Sequence, residues 1–160
     1  MSQQSGFAVP KDRQEVTVRL DNGQPVAGAV FLDYAPNALT VHHRMAAFLE
    51  DDNLFFPLQT KGGGTEFINK KNIKLIEINY QAEQEQINSA ISLMQVMNVT
   101  VFFLDGTSLN GSLIAEVPTE KSRLSDCLNL PSQFLNIKID GRISYLNKDR
   151  IRKVLYAPGA

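Results

Sequence analysis

The sequence predicts a mainly β protein, built of two tandem small five-stranded barrels joined by an amphipathic helix. Three observations carry this. Residues 16–78 and 99–157 each open on a strand, a tight Asn-Gly or Asp-Gly turn and a second strand. Each stretch closes on a strand, a polar Asn-Lys turn and a final strand, in the same order. Between them, apolar residues recur at helical spacing. The chain therefore reads as an internal duplication: 1–14 a flexible N-terminus, 15–79 the first copy, 80–98 a linker helix and 99–157 the second copy.

In the first copy Val16-Thr17-Val18-Arg19-Leu20 is a strand, and Asn22-Gly23 its turn. In the second, Val99-Thr100-Val101-Phe102-Phe103 is the strand, and Asp105-Gly106 the turn. Such dipeptides tolerate the positive φ angles that two-residue hairpin turns require. Gly28 and Gly111 lie within the following strands, where an interior glycine marks a sharp bend or a close approach of another backbone. Arg44–Leu49 and Arg123–Leu128 space their apolar residues as short helices, with Arg44 and Arg123 at matching places in structural roles. Phe55–Leu58 and Phe134–Ile137 predict third strands. Pro57, which cannot donate a ladder hydrogen bond, places the first of these at an edge or a bulge. Phe67-Ile68-Asn69-Lys70-Lys71-Asn72-Ile73 corresponds to Tyr145-Leu146-Asn147-Lys148-Asp149-Arg150-Ile151. In the linker, Ile87, Ala90, Ile91, Met94 and Met97 form the stripe of an amphipathic helix. Each copy is small enough that its core alone is marginal, so a compact pair is expected.

Hydrophobic residues make up 43% of the chain and charged residues 21%, which excludes disorder as the default, and the net charge is −1. A dedicated nucleic-acid binder carries a stronger basic excess, so charge disfavours RNA. No apolar run reaches the ~18 residues of a membrane span, and a signal-like N-terminus is not seen. With Cys127 as the one cysteine, a reducing, cytoplasmic setting is expected.

Several residues invite chemical readings. His42-His43 would face opposite sides of a strand and could not share a metal. Glu50-Asp51-Asp52-Asn53 reads as a solvated helix end, and Gly62-Gly63-Gly64 lacks the Lys-Ser/Thr of a phosphate loop and reads as a hairpin turn. Cys127 reads as core packing. No nucleophile, base and oxyanion donors assemble from these residues, so catalysis, cofactors and metals are not expected. The local basic feature is Lys148, Arg150, Arg152 and Lys153, which would meet water, an acidic protein or nucleic acid.

The opening Val99–Gly111 and the closing Leu146-Asn147-Lys148-Asp149-Arg150-Ile151 resemble the two motifs of the Sm-like superfamily, nearest its bacterial Hfq branch. The resemblance implies an SH3/Sm-like barrel for each copy. It also implies RNA contact by Lys70 and Lys148, which match that branch's lysine. Asn69 and Asn147 stand where the branch has Tyr, and Lys71 and Asp149 where it has His; the stacking ring and a base contact are thus missing. The expectation is a non-enzymatic adaptor that binds a protein partner or itself. The alternative is an RNA-binding protein using Asn69, Lys70, Asn147, Lys148, Arg150, Arg152 and Lys153.

Overall fold

In the computed structural model, residues 11–33, 41–78, 95–115 and 124–156 are described. The first half runs β1 (Lys11–Leu20), β2 (Pro25–Asp33), α1 (Val41–Glu50), β3 (Phe55–Thr60), β4 (Thr65–Asn69), a 3-10 turn (Lys70–Asn72) and β5 (Ile73–Ile78). The second half repeats that order: β6 (Gln95–Phe103), β7 (Ser108–Ala115), α2 (Leu124–Leu128), β8 (Phe134–Ile139), β9 (Arg142–Asn147), a 3-10 turn (Lys148–Arg150) and β10 (Ile151–Tyr156). The protein is mainly β, and its strands form one antiparallel ten-stranded sheet ordered β10-β6-β7-β8-β9-β5-β1-β2-β3-β4. Strands from each half stay together, and β5 meets β9 in the middle.

The local chemistry follows the sequence closely. Gly23 and Gly106 adopt φ of 85° and 90° in their turns, as the hairpin reading requires. Asp140 and Gly141 both have positive φ, 50° and 80°, in the β8–β9 turn. Gly28 and Gly111 are glycine for want of space. A Cβ at Gly28 would lie 2.5 Å from the Gln59 carbonyl oxygen, and one at Gly111 2.4 Å from the Ile137 methyl. At these points β2 crosses β3, and β7 crosses β8, over short paired stretches: Gly28↔Thr60 with Ala29↔Gln59, and Ser112↔Lys138 with Leu113↔Ile137.

Four expectations change. Lys11–Gln14, assigned to the flexible N-terminus, belong to β1, where they pair with Val30–Asp33 of β2. The stretch Phe55–Thr60 is not at the sheet edge, since β3 lies between β2 and β4. Pro57 is tolerated because the Thr60 N–H to Gly64 C=O bond sets the β3–β4 ladder so that Pro57 turns its nitrogen away from β4. On that side it lies beyond the short pairing with β2. Gln95–Asn98, assigned to the linker helix, belong to β6: Met97 pairs with Leu113 and is buried beneath the sheet. The rest of that helix, with Ile87, Ala90, Ile91 and Met94, lies outside the described residues, as do Arg123 and residues 1–10. His42 and His43 lie on α1, not on a strand. Among the described residues no helix is long and apolar enough to cross a membrane.

Two buried clusters form the core, and each crosses the middle of the sheet. One gathers Val16, Val18, Val30, Met45, Phe56, Ile73 and Ile76 of the first half, with Phe134, Ile143 and Tyr145 of the second. The other gathers Val99, Val101, Phe103, Cys127, Ile137 and Leu146 of the second half, with Leu75 of the first. Burial pushes the Cys127 thiol above its ordinary pKa, assisted by Asp126, as befits a packing residue.

Candidate functional site

The residues singled out at the Asn-Lys turns converge where β5 meets β9. Pairing there is Leu75↔Leu146, Ile76↔Tyr145 and Glu77↔Ser144. Both Asn69 and Asn147 cap their turns: each side-chain oxygen accepts the N–H two residues on, from Lys71 at 2.9 Å and from Asp149 at 3.0 Å. Asn147 does more. It is fully buried, its Nδ2 donates to the carbonyls of Ile73 (2.9 Å) and Lys70 (3.2 Å), and its Oδ1 accepts from Gln133 Nε2 at 2.7 Å. One side chain thereby ties three backbone segments together.

Both lysines are held by hydrogen bonds within the chain, Lys70 buried and Lys148 half-exposed. Lys70, 8% exposed, donates to Asp51 Oδ1 at 2.7 Å and to the carbonyls of Phe48 and Asp51 at 3.3 Å. At Asp51, burial works upward on the carboxyl. The hydrogen bond from Lys70 and those from Asn53 outweigh it and hold the pKa below its ordinary value. Lys148 donates to the Leu130 carbonyl at 2.6 Å, and partial burial lowers its pKa against the opposing pull of Glu50. Arg150 donates from Nη2 to the Lys71 carbonyl at 3.0 Å, again joining the halves. Arg152 donates to the Leu104 carbonyl at 3.2 Å, and Lys153 lies 4.8 Å from the Phe102 ring centroid; both remain largely exposed. Of the expected basic cluster, then, Lys148 and Arg150 serve the turn, and Arg152 and Lys153 face out along β10. Arg44 pairs with Asp12, tying α1 to β1.

Sequence reading missed three parts of the seam. Glu50, read as part of a solvated helix end, reaches from α1 to accept the Gln133 N–H at 2.9 Å and the Phe134 N–H at 3.1 Å. Lys74 donates to Asp105 at 2.9 Å and to Thr107 at 2.7 Å, with Phe103 beneath its ammonium group. The hydroxyl and N–H of Thr107, then Lys74, hold the Asp105 carboxyl down at about 2. Tyr145, fully buried, has its hydroxyl pKa pushed up by burial. Pairing between distant segments decides these roles, and no local sequence signal announces them. A cavity of about 240 Å³ remains beside the seam, between Glu50, Asp52, Lys71, Gln133 and Asp149.

The outer edges of the sheet, β4 and β10, contrast with this. Phe67 on β4 is 67% exposed, and Leu155 and Tyr156 on β10 are 56% and 46% exposed. Phe55, beside Asn69 across the β3–β4 ladder, is also exposed. Comparison with protein-family models, with curated proteins and with solved structures returns no match.

Proposed function

We propose that this chain is a non-enzymatic interaction protein, a duplicated pair of SH3/Sm-like barrels with a joining helix, that binds protein through its free strand edges. The single observation behind this reading is the contrast between the middle of the sheet and its margins. An unpaired strand is a template for another strand, and a soluble protein ordinarily blunts such edges with charge or proline. Among the described residues both margins carry large apolar side chains, alongside the charged Glu66, Arg152 and Lys153, beside unpaired backbone, the pattern that strand addition uses. The β3–β4 ladder leaves the Phe67 N–H and C=O on the outer side.

The competing reading, RNA binding through the Asn-Lys turns, has exposed Arg152 and Lys153 in its favour. It loses its two principal lysines: Lys70 is committed to Asp51, and Lys148 to a carbonyl. Photo-crosslinking in native extract separates the two. A photoreactive residue at position 67 or 155 is expected to yield protein adducts, and one at Phe31, on β2 away from the margins, far fewer. Equal labelling from all three positions would refute edge binding. Binding of a single-stranded oligoribonucleotide that weakens steeply with salt and disappears in Lys148→Ala would replace it with the RNA reading.

A further inference from the structure

The two margins of the sheet differ in charge, and the difference selects what each can take. Strands β6 to β10 carry Lys138, Arg142, Arg152 and Lys153 and no acidic residue, whereas β1, β2, β4 and β5 each hold an Asp or Glu. We propose that the β10 edge takes an extended acidic segment of another protein, added as a strand, with a carboxylate opposite Lys153 and an apolar residue opposite Leu155. This rests on the edge-binding reading above and names the chemistry of the partner at one of the two edges.

The backbone at this edge is open in a defined phase. The Phe103 N–H donates to the Thr107 carbonyl at 2.9 Å, so Phe103 faces β7, and by alternation Phe102 and Thr100 face β10. Their partners across the ladder are Lys153 and Leu155, which therefore spend their N–H and C=O groups on β6. Val154 and Tyr156 turn theirs outward, where no described strand lies. A strand added there bonds at Val154 and Tyr156. It brings its side chains closest opposite Lys153 and Leu155, the positions between the bonded pairs. Val154 packs against the core, so Lys153 and Leu155 lie together on the outer face. The Lys153 ammonium stands 4.8 Å from the Phe102 ring centroid. That face continues across β6 and β7 to Lys138 on β8 without a carboxylate.

The middle of the sheet argues against an apolar strand or a second copy at this edge. Lys153 stands where β5 has Leu75, and Leu75 is 6% exposed opposite Leu146 of β9. A strand of that type would cover the Lys153 charge with apolar surface, and so would β4, which has Ile68 at the corresponding place. A covered charge needs a partner of opposite sign. Among the described residues Lys153 has only the Phe102 ring, and Arg152 beside it has only the Leu104 carbonyl, 3.2 Å away. An acidic strand supplies the carboxylate that both lack.

Fluorescence anisotropy on the full chain, with circular dichroism to verify folding, tests this. The probes are labelled peptides as long as the six residues of β10: Thr-Glu-Thr-Val-Thr-Glu, and its counterparts with Gln or Lys in place of Glu. The Glu peptide is expected to bind, the Gln peptide more weakly and the Lys peptide least. Lys153→Glu should weaken the Glu peptide about tenfold and reverse the order. Val154→Pro, which removes an outward N–H and spares the β10–β6 ladder, should abolish binding; should it misfold, Tyr156→Pro removes the next outward N–H. Phe67→Pro, at the opposite edge, should change nothing. Equal binding of all the peptides overturns the acidic partner and leaves edge binding standing. Binding of the Glu peptide that survives both β10 proline variants is surface attraction and overturns strand addition. Loss in Phe67→Pro assigns the peptide to β4 and overturns the proposal while keeping the edge reading. A chain that takes no peptide but grows with concentration in light scattering gives β10 to a second copy. One that takes no peptide but binds a single-stranded oligoribonucleotide gives the basic face to RNA. Absence of peptide binding in a chain whose position 155 still crosslinks other proteins refutes the acidic occupant alone. Absence of crosslinks from positions 67 and 155 refutes edge binding with it.

Discussion

Tyr145 and Phe67 occupy the same place in their two halves and meet opposite fates. Tyr145 is fully buried between β8 and β5, opposite Ile76, whereas Phe67 is 67% exposed, with Pro57 of β3 on one side and no described strand on the other. The same comparison holds for Asn147 and Asn69, and for Leu75 and Lys153. The difference lies in where the half sits in the sheet, because β9 has β5 beside it and β4 has none. A repeated element can thus be core in one position and surface in another, and its residue choice follows the neighbour more than the fold.

Substitutions at matched positions would break this comparison if it is wrong. The largest effect is expected at the aromatic pair. Tyr145→Ala should cost about 3–5 kcal/mol of unfolding free energy in a urea titration, as for other buried aromatics. Phe67→Ala in dilute solution should stay within about 0.5 kcal/mol. Equal losses would mean that the two places are not environmentally distinct.

A smaller gap is expected at the asparagines. Asn147→Ala removes the turn cap and leaves the buried Ile73 carbonyl without its side-chain donor, so about 2–3 kcal/mol should be lost. Asn69→Ala removes only the bond to Lys71 N–H, worth about 1 kcal/mol. Glu50→Gln, which keeps the acceptor but loses its charge, should cost about 1 kcal/mol, half the effect of a charge-assisted bond after allowance for its exposure.

Acid should sharpen the account of the Lys74 contact. Asp105 has its pKa lowered in the folded state to about 2 from 3.8. Its contribution is therefore complete above about pH 4 and is lost as pH falls toward 2. Asp105→Asn should flatten that part of the stability–pH curve and leave the neutral region parallel. The smallest effect is expected from exposed pairs such as Lys11–Asp33, where Lys11→Ala should change stability by less than about 0.5 kcal/mol.

Much of the fold was legible because its signals are local. Asn22-Gly23 and Asp105-Gly106 dictate turns, Gly28 and Gly111 permit crossings, and alternation in Val16–Leu20 and Val99–Phe103 specifies strands. What escaped depends on long-range partners. Met97 obeys a helical spacing and a strand alternation equally well, and pairing with Leu113 decides for the strand. Glu50 resembles any solvated helix end until β8 is placed against it. Lys70 and Lys148 carry a basic signature, yet hydrogen bonds within the chain hold both at carbonyls and, for buried Lys70, at a carboxylate. The seam was not legible at all, since nothing in Ile73–Ile78 or Arg142–Asn147 names the other.

Amide hydrogen exchange tests most directly whether the margins differ from the middle. The ladder N–H groups that join β5 to β9 should be strongly protected, because their pairing is within one chain. The outward N–H group of Phe67 should exchange fast. Protection of that group equal to that of the β5–β9 ladder would contradict the account.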